Sequence, residues 1–159
     1  MHMNRIEKVR EVVDEILLNM TDCEERRCAY LHLYGVSQAC AMLALRRRAN
    51  VEMAIVAGML HDIGRRVGIV NIPKHVYEGY KYAMEKGWDE VARVCMTHSY
   101  PLMKDEFGYE PQTEEEKAIK EYIVGCEADD YDTLIQICDS LATDYGFVIL
   151  EKRFVDVTR

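Results

Sequence analysis

The stretch VAGMLHDIGRR, residues 56–66, runs apolar for five residues and then sets His61 beside Asp62. Burying an imidazole and a carboxylate costs several kcal/mol unless something satisfies both. Three further histidines stand at comparable positions. His32 shares a helical stripe with Cys28, Gly35, Val36 and Ala39, mostly small residues that leave room beside the ring. His98 continues the apolar face of Val91, Val94 and Cys95, and His75 stands at a helix start after NIPK. Asp139 in IQICDSLAT keeps company with Ile135, Ala142 and Thr143. Any one of these alone reads as a core histidine bonded to a carbonyl, or as an exposed acid. Together they form a donor set that suits Fe, Mn, Zn, Ni or Co, and a shared metal site would satisfy all of them at once.

The elements that must position these residues are helical. Ile6, Val9, Val13, Ile16, Leu17 and Met20 recur at helical spacing. TDCE at 21–24 is a capping-box pattern that opens a second helix to about Arg48, and Asn50 caps a third that ends at Gly64. Helices are expected from about Val76 to Gly87, from Asp89 to Ser99, from the TEEE box to about Glu127, and from about Asp132 to Asp144. GFVILEKRF reads as a last helix, and Asp129, Asp130 and Asp132 as a solvated, capped helix start. Residues 101–111 read as a loop. No useful stretch alternates with period two, so the expected fold class is all-α.

The chain of 159 residues fits a single domain, 1–159, with its motif-bearing core over about 28–145. Its net charge of -8 argues against a nucleic-acid polymer as partner, because such binding rests on many Lys and Arg contacts. A phosphorylated small molecule remains compatible, since bound cations make a site locally positive. The longest apolar run falls short of a membrane span, and no signal peptide precedes it, so the expectation is a cytoplasmic protein without a membrane partner. The six cysteines form no C-x-x-C pair and read as reduced thiols. Cys28, Cys95 and Cys138 fall near the proposed site, where small core residues is the preferred reading. His2 is set apart from the site, and the oligomeric state is left open.

The order of these residues resembles the HD-domain metal-dependent phosphohydrolase superfamily. Its pattern of an early His, a later His-Asp pair and a final Asp on a late helix is matched by His32 in YLHLYGV, His61 and Asp62 in LHDIG, and Asp139 in ICDSLA. His75 and His98 are similar to the two added histidines of a subset that holds two metals. The resemblance implies that His32, His61, Asp62 and Asp139 hold one divalent transition ion. His75 and His98 would hold a second, with Asp62 bridging. Fe or Mn is the first expectation, with Zn, Ni, Co or Mg as other occupants. Ser99 stands where the HD-GYP cyclic-dinucleotide phosphodiesterases carry another His, so cyclic di-GMP is not the expected substrate. The ligand pattern and size look like those of small dinuclear HD proteins that hydrolyse dinucleoside polyphosphates symmetrically.

The resemblance implies hydrolysis of a nucleotide or other small phosphate ester or anhydride by a metal-activated hydroxide, with His61 and Asp62 at its centre. Arg65, and with it Lys74, are the expected phosphate contacts, while Arg66 reads equally as an exposed charge. Tyr100, Phe107 and Tyr109 around the 101–111 loop could stack on a base, although packing is the expected role for at least one of them. Two other readings share the ligand set: an HD-fold di-iron oxygenase, and a non-catalytic nucleotide-sensing module.

Overall fold

A computed structural model describes residues 4–68, 71–101 and 110–157. Among these, eight helices follow in order, with a short two-stranded β-hairpin between the last two. Helix α1 (Arg5–Asn19) is capped by the Asn4 side chain, which accepts from Glu7 N, and buries Val9, Val13 and Leu17. Helix α2 (Cys23–Arg47) is opened by Asp22, not Thr21, and closed by Arg48 in the left-handed region at φ 58°. Helix α3 (Val51–Leu60) starts on Asn50 as expected but stops before His61, where a 3₁₀ turn, Ile63–Val67, takes over. Helix α4 (Ile72–Glu85) carries Pro73 in its first turn, where the missing N–H is harmless. Then come α5 (Asp89–Thr97), α6 (Glu114–Gly125) and α7 (Asp130–Leu141). Strands β1 (Ala142–Thr143) and β2 (Gly146–Phe147) pair antiparallel, Ala142 opposite Phe147, and α8 (Leu150–Val157) closes the described chain.

The fold is all-α. Helix α2 lies at its centre, against α3 and α7, and α4 packs on α5 and on the 3₁₀ turn. By length and composition alone α2 is apolar enough to cross a membrane. Its Leu33, Val36, Ala39, Cys40 and Ala44 are instead buried in the protein interior.

Two glycines allow backbones to touch. A Cβ on Gly58 would lie 2.7 Å from Ser37 Cα, so α3 crosses α2 at main-chain distance. A Cβ on Gly64 would lie 1.7 Å from the His75 carbonyl oxygen and 2.7 Å from Gly79 N. The sequence reading takes Gly64 as a helix end. The structure corrects this: the helix has already ended, and the glycine is needed because α4 runs directly over it. Each close approach lies within one helical turn of, or directly under, a histidine proposed as a ligand.

Two further expectations need correction. The GFVILEKRF segment begins in β2, because the chain reverses at Gly146 (φ 125°) before α8 starts. Asp132 is no solvated residue. It is buried in a reciprocal cap with Asp129, whose side chain accepts from Asp132 N while Asp132 accepts from Asp129 N. Tyr100 packs with Val76, Met96, Ile119 and Ile123, the packing role expected for at least one of the three aromatics. Phe107 and Tyr109 lie outside the described residues.

Candidate metal centre

The six residues singled out as metal ligands come from five parts of the fold and meet in two groups. His32, on α2, joins His61, at the end of α3, and Asp139, in the last turn of α7. Asp62 joins His75, in the first turn of α4, and His98, at the end of α5. Within each group the donor atoms lie within 4.8 Å of one another. His32 Nε2 is 3.2 Å from Asp139 Oδ1 and 3.2 Å from His61 Nε2. His75 Nε2 is 3.1 Å from Asp62 Oδ1 and 3.2 Å from His98 Nε2. Asp62 links the groups: its Oδ1 faces His75 and His98, and its Oδ2 reaches toward His32 at 3.9 Å.

The backbone orients all four rings in the same way. His32 Nδ1 meets Ala142 O at 2.9 Å, His61 Nδ1 meets Gly58 O at 2.8 Å, and His75 Nδ1 meets Asn71 O at 3.3 Å. His98 Nδ1 lies between Val94 O and Cys95 O, at 3.2 and 3.0 Å. A carbonyl only accepts, so each Nδ1 must be the protonated nitrogen, which leaves each neutral ring with a lone pair on Nε2. These four lone pairs point at one another and at two carboxylates.

Such convergence repels unless a cation or a proton lies between the donors. Burial pushes the His75 pKa down to about 4, against the pull of Asp62, so no proton is held there near neutrality. Asp62 Oδ1 is buried with no hydrogen-bond donor. Burial alone would raise the Asp62 carboxyl, but the facing His98 and His61 imidazoles and the Arg65 guanidinium hold it well below the usual range. In the other group burial opposes protonation of His32, yet the hydrogen bond and charge of Asp139 override it and raise its pKa. Asp139 is itself held well below the usual carboxylate range, since His32 and His61 outweigh its burial. Both groups therefore call for positive charge, and three donors each, nitrogen and oxygen mixed, fit a divalent transition ion. Neither group includes a cysteine.

The groups open into a cavity of about 750 Å³. Ile16, Leu17, Met20 and Leu33 form an apolar wall, and Arg65, Arg66 and Arg153 also line it. Arg65 Nε donates to Asp62 Oδ2. Arg66 stacks over Tyr82 at 4.9 Å, and its buried Nε has no hydrogen-bond partner. Arg66, which the sequence also allows as an exposed charge, is half-buried and lines the cavity. Its packing on Tyr82 gave no signal in the sequence, because no periodicity links the two. Lys74 is exposed on the first turn of α4 and does not line the cavity.

The family model for the HD domain matches residues 29–144. A stretch of 61 residues is 34% identical to Ribonuclease Y of Mesoplasma florum, covering 38% of this chain and 12% of that protein. No solved structure matches. The family match spans most of the chain and encloses all six converging residues, so the chain belongs to the HD domain family.

Proposed function

We propose that the protein is a metal-dependent phosphohydrolase that uses two divalent transition ions, Fe or Mn foremost, on a small phosphorylated substrate, a nucleotide ester or anhydride. The observation that carries this reading is the convergence of four backbone-oriented Nε2 lone pairs and two depressed carboxylates beside a buried, donor-free Asp62 oxygen. His32, His61 and Asp139 would hold one ion, His75 and His98 the other, with Asp62 contributing an oxygen to each. When bound, such a pair supplies Lewis acidity, which makes water a nucleophile near neutral pH and offsets charge on a phosphoryl oxygen. The chain's own residues do the rest. The Nδ1 hydrogen bonds keep the four rings from turning, so the donors need no rearrangement on binding. Arg65 balances Asp62, and Arg65, Arg66 and Arg153 line the cavity as the cations placed to meet a phosphate. The apolar wall of Ile16, Leu17, Met20 and Leu33 suits the organic part of the substrate.

The relative is by name a ribonuclease, which supports chemistry at a phosphate. Asp22, Glu24 and Glu25 line the same cavity, and with the net charge of -8 they favour a small substrate over a polyanionic strand. The test is a panel of mononucleotides, dinucleoside polyphosphates, cyclic dinucleotides and an aryl phosphate, presented to Mn- and Fe-loaded protein. Turnover of a nucleotide faster than the aryl phosphate is expected, with Asp62→Ala inactive. No turnover of any of these compounds would overturn the reading.

A further inference from the structure

Helices α5 and α7 carry one member of each ligand group, His98 and Asp139, and a polar network centred on buried Thr97 and Asp132 joins them. Arg93 Nη2 donates to Asp132 Oδ2 at 2.5 Å and to Glu127 O, while Arg93 Nε lies 3.2 Å from Asp129 Oδ2. Thr97 Oγ1 donates to Asp132 Oδ1 at 2.7 Å. Gln136 Nε2 donates at 3.0 Å to the carbonyl of Thr97. Thr97 and the Asp132 side chain are fully buried.

Asp132, Gln136 and Asp139 stand at i, i+4 and i+7, one stripe of α7. The first two grip Thr97, and the third faces His32 and His61. On α5 the gripped residue, Thr97, directly precedes His98. Cohesion alone does not call for this arrangement, because a buried ion pair is commonly no more stabilising than apolar packing of similar volume. What directional bonds add is register: they fix how far α7 slides along the end of α5.

Resting on the two-cation reading, we infer that Arg93, Thr97, Asp132 and Gln136 form a staple that sets the spacing between the two ligand groups, with Thr97 and Gln136 as positioning residues. Neither side chain touches a ligand atom. Their effect passes through the main chain of α5 and α7 to His98 and Asp139.

The test is titration of the metal-stripped 159-residue chain with Mn(II), followed by electron paramagnetic resonance. It counts bound equivalents and reads the coupling between neighbouring ions, and melting temperature is recorded in parallel. Thr97→Val removes the hydroxyl at equal volume, Thr97→Ser keeps it, and Gln136→Leu removes the amide donor while filling its space. Thr97→Val and Gln136→Leu are expected to weaken at least one equivalent by about 10- to 100-fold, as loss of a supporting partner does. They should also change the coupled-pair signal, and Thr97→Ser should restore both. Valine and leucine variants that bind and couple as the parent does, even with a lowered melting temperature, would make the network merely structural and overturn the inference. So would a serine variant no better than valine. Fewer than two equivalents in the parent would instead overturn the two-cation reading itself, a failure visible before any variant is made.

Discussion

Replacing Gly64 with alanine puts a methyl group where α4 crosses the 3₁₀ turn. The new carbon would lie 1.7 Å from the His75 carbonyl oxygen, and at least 3.0 Å is required before such a contact is tolerable. The obstruction is main chain on both sides, so no rotamer relieves it; the first turn of α4 must retreat by more than an ångström. His75 rides on that turn, and its Nε2 sits 3.1 Å from Asp62 Oδ1 and 3.2 Å from His98 Nε2. Metal–ligand bonds of about 2.0–2.2 Å tolerate errors of only about 0.2 Å. The retreat therefore removes His75 from the group it shares with Asp62 and His98. Overpacking of this kind costs about 1–3 kcal/mol, and here the upper end is expected because backbone must move. Under the two-cation reading, Gly64→Ala should lose one Mn(II) equivalent in equilibrium dialysis. It should retain the one assigned to His32, His61 and Asp139, with a lower midpoint in urea. A variant that binds both equivalents like the parent and melts at the same urea concentration would refute the close approach and everything drawn from it.

The buried, neutral His75 makes the metal-free protein acid-sensitive. Its folded pKa of about 4 lies below the ordinary value of 6.5, so the unfolded chain binds the extra proton between those values, and stability falls as pH drops through that window. The full span corresponds to about 3 kcal/mol, read as the narrowing stability gap between parent and His75→Gln from pH 7 to pH 4 in chelator-treated urea melts. A constant gap would contradict the assignment. Tyr34 Oη donates to Asp14 Oδ1 at 2.5 Å and ties α2 to α1, with burial and that carboxylate both raising the phenol pKa. Tyr34→Phe should cost about 1–2 kcal/mol without altering Mn(II) binding; an unchanged midpoint would show that water replaces the bond fully.

The all-α class is legible because amphipathic stripes such as Val9, Val13 and Leu17 repeat with the helical period. Chemistry-bearing residues stand out for a related reason. A polar side chain on an apolar stripe is an energetic anomaly, and His61, Asp62 and His98 are such anomalies. What escapes a linear reading depends on contacts between distant segments. Gly64 reads as a terminator, since nothing local announces that residues 75–79 pass over it. Asp132 reads as a surface cap because its partners, Arg93 and Thr97, lie more than 30 residues away. The hairpin at 142–147 is too short to show period two. Yet its first carbonyl, Ala142 O, decides which nitrogen of His32 faces the centre.

That last contact bears on how the molecule assembles. His75 and His98 are separated by 23 residues, whereas His32 meets Ala142 across 110. By loop-closure entropy the longer closure is dearer by about 1.4 kcal/mol. The segment from the 3₁₀ turn through α5 thus closes a short loop, whereas His32, which meets His61 across 29 residues, reaches the hairpin only across 110. Loop closure alone therefore favours the Asp62, His75 and His98 group, and the hairpin carbonyl that turns His32 into place closes at the greater entropic cost.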